Sequence, residues 1–205
     1  MATNPIPRLT EEEYLRLERA AEYKSEYYQG EMFAMSGASF PHSRIQRNLL
    51  VEFSLSLRDN ACEALGSDVR VRVAATGLFT YPDVVLVCDQ PEFADDQKDT
   101  LLNPIVIIEV LSPSTETYDR GQKFRHYRTI PSLQHYILVD QTAMRVEHHR
   151  RQPDESWVVQ YLDKPEDELR LDPMGVAIPL HLIYARVELA PEIIAAEGLI
   201  GLPRN

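Results

Sequence analysis

Cysteine, long apolar runs and basic residues are all scarce in this chain, and each shortage narrows what the protein can be. Two cysteines among 205 residues cannot form a disulfide framework, and Cys88 closes a run that reads as buried strand, so both are expected to be free thiols. The longest apolar runs, 84–88 and 105–108, fall far short of the ~20 residues of a bilayer-spanning helix. No membrane span is expected. The first twenty residues hold prolines and then Glu11, Glu12 and Glu13, not the apolar core of a signal peptide or an Arg-rich transit helix, so the chain is expected in the cytoplasm. With 21 Lys and Arg against 32 Asp and Glu, the net charge is -11, which opposes any protein that coats nucleic acid by neutralising phosphates. Gly-rich phosphate loops, nucleophile elbows and cysteine-rich zinc spacings are also missing, which removes the common nucleotide-binding, serine-hydrolase and zinc-finger readings.

The charge is uneven. Residues 89–99 carry five acids against Lys98, and residues 163–172 are similarly acidic, whereas Arg120, Lys123, Arg125 and Arg128 stand with no acid between them. A local basic surface survives the overall charge, although a solvated helix face gives the same pattern.

Thr10 and Glu13 stand at capping-box spacing, with Leu9 and Tyr14 placed for a hydrophobic staple, so a helix is predicted from Thr10. Tyr27, Tyr28 and Met32, Phe33 flank a Gly-containing turn, which predicts a hairpin over 24–35. Ile45, Leu49, Phe53 and Leu57 then recur every fourth residue from Pro41 onward and form the stripe of a second helix. Val69, Val71 and Val73 alternate with Arg70 and Arg72 as a strand with one buried face. The runs 84–88 and 105–108 do not alternate and fit central strands covered on both faces, with the acidic stretch between them as a surface loop. A third helix is predicted over 116–129, a strand over 136–139, and a second hairpin from 144–149 and 157–162. The fold class is α/β (α+β), one mixed sheet flanked by helices. One domain over 8–190 and a tail over 191–205 are expected.

Glu109 interrupts an apolar run, where a carboxylate is costly unless paired or metal-bound. Asp83 sits at the mouth of the other run, so two neighbouring strands each present a carboxylate near one end. A divalent cation stabilises such a pair, and hard oxygen ligands suit Mg²⁺ or Mn²⁺. The competing readings are an ordinary strand-entry residue for Asp83 and a buried ion pair with Lys123 or an arginine for Glu109. Lys123 follows on the next helix and either returns its ammonium to the carboxylates or faces solvent. His42 either touches substrate or makes one structural hydrogen bond. Glu26 either extends the metal shell or is a hairpin-edge carboxylate. His148 and His149 are adjacent on a strand, face opposite sides, and cannot chelate together.

Tyr81-Pro82-Asp83-Val84-Val85, then Glu109-Val110-Leu111-Ser112-Pro113-Ser114-Thr115, then Asp119-Arg120 and Lys123 with Tyr127, resemble the Uma family of restriction-endonuclease-like proteins. Upstream, Glu26, Gly30-Glu31, residues 35–39 and His42 are similar to that family's N-terminal motif, so the likeness runs over about 8–188. The resemblance implies the restriction-endonuclease-like fold of the PD-(D/E)XK superfamily, here with an additional N-terminal hairpin, and Mg²⁺-dependent hydrolysis of nucleic-acid phosphodiesters, DNA rather than RNA. It implies that Asp83, Glu109 and the Val110 carbonyl hold the metal and that the protein is a homodimer; on the local basic surface, Arg120, Arg125 and Arg128 are expected to guide the phosphate backbone. In the parent motif a lysine lies two residues after the glutamate, where this chain has Leu111, so Lys123 is implied to have taken over its role. A nuclease fold kept as an inactive interaction module, and a hydrolase of smaller phosphoesters, are the alternatives.

Overall fold

The computed structural model describes residues 8–172 and 174–189, and the expected tail lies outside the described residues. Helix α1 (Glu11–Ala20) begins at the predicted capping box: the Thr10 side chain accepts from the Glu13 amide, and the Glu13 carboxylate accepts from the Thr10 amide. The hairpin follows as β1 (Ser25–Tyr28) and β2 (Glu31–Ala34). Gly30, at φ 90°, supplies its left-handed turn conformation. Helix α2 (Phe40–Ser56) is capped by Ser39 and buries Ile45, Leu49 and Phe53.

Next come β3 (Cys62–Gly66), β4 (Arg70–Val73), β5 (Leu78–Thr80), β6 (Val84–Cys88), the short β7 (Thr100–Leu101) and β8 (Val106–Leu111). The predicted third helix is three pieces: α3 (Glu116–Tyr118), a π-helical turn (Asp119–Lys123) and α4 (Phe124–Tyr127). Strands β9 (His135–Asp140), β10 (Val146–Arg151), β11 (Trp157–Leu162), β12 (Glu168–Leu171) and β13 (Val176–Pro179), with a last turn α5 (Leu180–Ile183), complete the described chain.

A six-stranded sheet runs β11-β10-β9-β8-β6-β3, with β8 and β9 parallel and its other neighbours antiparallel. A five-stranded sheet runs β2-β1-β5-β4-β7, so the expected extra hairpin is one edge of a second sheet. Both faces of the six-stranded sheet are covered, which explains why β6 and β8 read as continuous apolar runs. On one face Val84, Leu86, Ile108 and Val110 pack with α2, the β12-β13 pair and α5. On the other, Val85, Ile107, Leu111 and Tyr136 pack with Val71 and Leu78 of the second sheet and with Tyr127.

Two expectations are corrected. Cys62 and Cys88 are joined by a disulfide, because β3 pairs antiparallel with β6 and sets them directly opposite, Cα atoms 3.9 Å apart. Arg70 is 3% exposed although its strand was expected to bury only the valines. Its Nε donates to Thr100 Oγ1 at 2.9 Å, its Nη1 to the Tyr81 hydroxyl at 2.8 Å, and its Nη2 lies 2.9 Å from Asp99. The Tyr81 hydroxyl in turn donates to buried Glu18 of α1 at 2.9 Å, so this polar chain ties α1 to the second sheet.

Candidate active site

Strand geometry brings the two carboxylates together. The β6-β8 register pairs Val84 with Ile108 and Val85 with Ile107, so one step further Asp83 faces Glu109. The period of two puts both on the side that packs against the second sheet and α4. Glu109 is 4% exposed, in mid-strand. Its Oε1 lies 2.9 Å from Lys123 Nζ and accepts from the Tyr127 hydroxyl at 2.8 Å. The partnership of Glu109 with Lys123 is therefore present in this structure. Lys123 is not solvent-facing: it is buried, with Glu26 Oε1 at 3.3 Å and Asp119 Oδ1 at 3.6 Å as well. Thr80 donates a further short hydrogen bond to Glu26. Asp83 belongs to the same floor but is fixed differently. Its Oδ2 accepts the Val110 amide at 2.7 Å and lies 3.1 Å from His42 Nε2, while its carbonyl accepts from Gln46 at 2.8 Å.

Glu26, His42, Asp83, Glu109, Asp119 and Lys123 line a cleft of about 1000 Å³. Ser39, which caps α2, hydrogen-bonds Gln141, and Gln141 donates to the Leu111 carbonyl at 2.9 Å. The helix start carrying His42 is thereby tied to the end of the strand carrying Glu109. Tyr23, Phe33 and Met35 line the mouth and are exposed. Arg120 and Arg125 are not among the lining residues. Arg120 pairs with Glu116 and Glu147, and Arg125 is exposed on α4.

The electrostatics are those of a crowded anionic floor. Desolvation, with Asp119 and Asp83 nearby, pushes the Glu109 pKa to about 8 against the pull of Lys123. Desolvation also raises Asp119. Burial alone would lower Lys123, but the attraction of Glu109, Tyr127, Glu26 and Asp119 outweighs it and holds the lysine well above its ordinary range. The ammonium stays charged at neutral pH, and Glu109 tends to keep a proton. Glu26, Glu109 and Asp119 thus share one buried lysine, and the two carboxylates beside Glu109 outnumber it even when Glu109 holds its proton. Oxygen donors alone suit Mg²⁺ or Mn²⁺ by kind. Among the described residues no three Asp, Glu, His or Cys side chains converge as a metal cage.

Asp119 carried no role of its own in the sequence reading. Its signal was the i, i+4 spacing to Lys123, which sets both on one helix face. The two adjacent histidines do part as expected: His148 Nε2 lies 2.8 Å from His135 Nδ1, while the His149 ring packs on Phe124.

Comparison with known proteins agrees with this architecture. "Uncharacterized protein sll1609" of Synechocystis sp. is 39% identical over 86% of this chain and 98% of its own length. "Uncharacterized protein slr1290" of the same organism is 37% identical over 88% of this chain and 93% of its own. The crystal structure of a "putative nuclease belonging to DUF820" from Anabaena variabilis shares the fold, with a TM-score of 0.71 at 18% identity, covering 86% of this chain and 97% of that one. The Uma2 family model, described as "Putative restriction endonuclease", matches residues 11–181, and the chain belongs to that family.

Proposed function

We propose that the protein is a metal-dependent endonuclease that hydrolyses nucleic-acid phosphodiesters, DNA in preference to RNA. The observation that carries this reading is the buried Glu109–Lys123 pair facing Asp83 on the floor of an open cleft. Asp83, Glu109 and the Val110 carbonyl are the groups that would hold Mg²⁺ or Mn²⁺. When bound, such a cation stabilises charge on phosphoryl oxygens and lowers the pKa of water. Lys123 presents its ammonium beside these carboxylates, where it orients the attacking water or offsets the charge that builds on the phosphate. Tyr127 fixes Glu109, and His42 steadies Asp83 from the cleft wall, placed to touch substrate. Glu26 holds the far side of the ammonium as an accessory group. Of the two arginines, Arg125 is available to guide a phosphate backbone, whereas Arg120 must first leave Glu116 and Glu147. Tyr23 and Phe33 at the mouth offer faces on which bases can stack, an attraction that does not need basic residues. A homodimer belongs to the same reading, since two sites related by a two-fold suit cutting both strands of a duplex.

One observation favours the second reading, an inactive interaction module. The charged residues lining the cleft are Glu22, Glu26, Asp83, Glu109, Asp119 and Glu188 against Lys24 and Lys123. Both lysines are already engaged, Lys24 with Asp68 and Lys123 with the cluster. A panel of single-stranded, duplex and structured DNA and RNA, offered with Mg²⁺ and with Mn²⁺ to the parent and to Glu109→Gln, separates the two. The nuclease reading expects metal-dependent products from the parent and none from the variant. Inertness of both on every substrate gives the module reading the field.

A further inference from the structure

The outer edge of the six-stranded sheet is β11, which pairs with β10 on one side and, among the described residues, with no strand on the other. Val158, Val159 and Tyr161 on this strand are 50%, 37% and 66% exposed. From Trp157 to Leu162 the strand carries no charge and no proline, so it lacks the usual protections of an open edge. The opposite edge is guarded: β3 exposes Glu63 and ends at Gly66.

Which amides point outward follows from the hairpin. The Gln152 amide donates to the Ser156 carbonyl at 2.8 Å, which makes that a hydrogen-bonded pair. The antiparallel register then alternates, so Val158 and Gln160 spend their amides on Arg150 and His148. Trp157, Val159 and Tyr161 turn theirs to the open side. Around Val159 these three read aromatic, valine, aromatic, a sequence that matches itself when reversed.

We propose that β11 is a homodimer interface, where a second copy of this chain adds its own β11 antiparallel about a two-fold axis through Val159. The register sets Val159 against Val159 of the second copy, and Trp157 against Tyr161 of the second copy at both ends. Amides and carbonyls of all three residues are satisfied, and the two six-stranded sheets become one. A slip of one residue would set Trp157, Val159 and Tyr161 against residues whose amides are already spent on β10. A slip of two sets Asp163 against Trp157. The symmetric match is what selects a second copy over an unrelated strand, since an isologous contact needs a surface complementary to itself.

The test is sedimentation equilibrium of the full chain, and its readout is mass, independent of whether the cleft cuts nucleic acid. The parent should be a dimer. Val159→Lys and Val159→Glu each set like charges opposite one another on the axis and should weaken association at least about tenfold, the equivalent of about 1.4 kcal/mol. Mixing the two variants should restore a heterodimer, which also shows that both are folded. A monomeric parent overturns the proposal, and so does a Val159→Lys chain that dimerises like the parent or a mixture that stays monomeric. A monomeric parent whose Val159 amide resists hydrogen exchange would assign the edge to the chain's own remaining residues instead.

Discussion

Replacing Lys123 by Met removes the ammonium and keeps most of the apolar stem, so the change falls on the charge at the centre of the cluster. The lost contacts are those to Glu109 at 2.9 Å, Glu26 at 3.3 Å and Asp119 at 3.6 Å. Leaving a buried carboxylate ionised without its partner costs on the order of 3–5 kcal/mol. Glu109 has a cheaper course, because its pKa already stands at about 8 with the lysine in place. Its folded pKa is raised above the ordinary 4.5, so the native state keeps a proton that the unfolded chain releases. Stability from this group therefore falls as pH climbs from 4.5 towards the folded value. In the parent the decline levels off near pH 8; in the variant, without the ammonium, it continues. The variant's deficit should be steady below that point, about 1.5–3 kcal/mol for lost charged hydrogen bonds, and should widen above it by up to about 1.4 kcal/mol per pH unit. Urea melts at about pH 7 and about pH 9 measure both parts. A deficit that does not widen refutes the Lys123–Glu109 coupling. In the nuclease assay the same variant should cut at least about a hundredfold more slowly, with metal affinity unchanged or tighter because a competing cation is gone. Cleavage at the parental rate removes Lys123 from the mechanism.

Asp83→Ala and Glu109→Gln should each abolish Mn²⁺ binding in titration calorimetry while the fold persists; parental affinity in either variant rules out the paired-carboxylate site. Burial holds His135 at about 4 and His148 at about 3, both below the ordinary 6.5. Their folded values are depressed, so stability is present above 6.5 and is lost as pH falls through the folded values. His135 alone is worth about 3 kcal/mol on this account, and a His135→Leu/His148→Leu double variant should show a flatter acid limb in melts between those limits. Arg70→Met should destabilise by about 1.5–3 kcal/mol, because it takes the donor from Thr100 and Tyr81 while Asp99 keeps Arg19; a loss under about 0.5 kcal/mol would mean the network relaxes around the gap.

What the sequence disclosed was local. The capping box at Thr10 and Glu13 and the α2 stripe rest on contacts within a few residues, and both are present as expected. The runs 84–88 and 105–108 disclosed strands covered twice over, because only such strands lack alternation. What stayed hidden depends on pairing across the chain. The Cys62–Cys88 bond needs β3 to lie on β6, a register 26 residues apart in sequence. Alternating Val and Arg in β4 read as one wet face, but Tyr81, Thr100 and Asp99 close over Arg70 from elsewhere. The β12-β13 pair was legible in principle, since Leu169 and Leu171 alternate with Glu168 and Arg170, yet amid the surrounding acids the segment was assigned no element.

On the nuclease reading, the position of the lysine joins packing and chemistry on one strand. Glu109 and Leu111 point to the same face of β8, so a lysine at the parent motif's position would reach the cluster directly. Leu111 instead packs there with Tyr127, Ile107 and Tyr136, and an ammonium stem in its place would open that core. The segment over this face supplies the charge from the other side. An ordinary helical turn already sets residues four apart on one face, and here Asp119 and Lys123 bound a π-helical turn and are both buried. Tyr136 braces that turn by donating to the Asp119 carbonyl at 2.9 Å. Such insertions recur at functional sites because they re-aim side chains without ending the helix. The brace makes a separate forecast. Tyr136→Phe keeps the ring's packing and removes only the hydroxyl, so stability should drop by about 0.5–1.5 kcal/mol. If the turn aims Lys123, the variant should also lower the turnover number while leaving KM near the parental value, as expected when only the transition state loses an interaction. Unchanged turnover, with the stability loss present, would mean that the turn holds its shape without Tyr136 and that Lys123 is aimed by its own ion pairs.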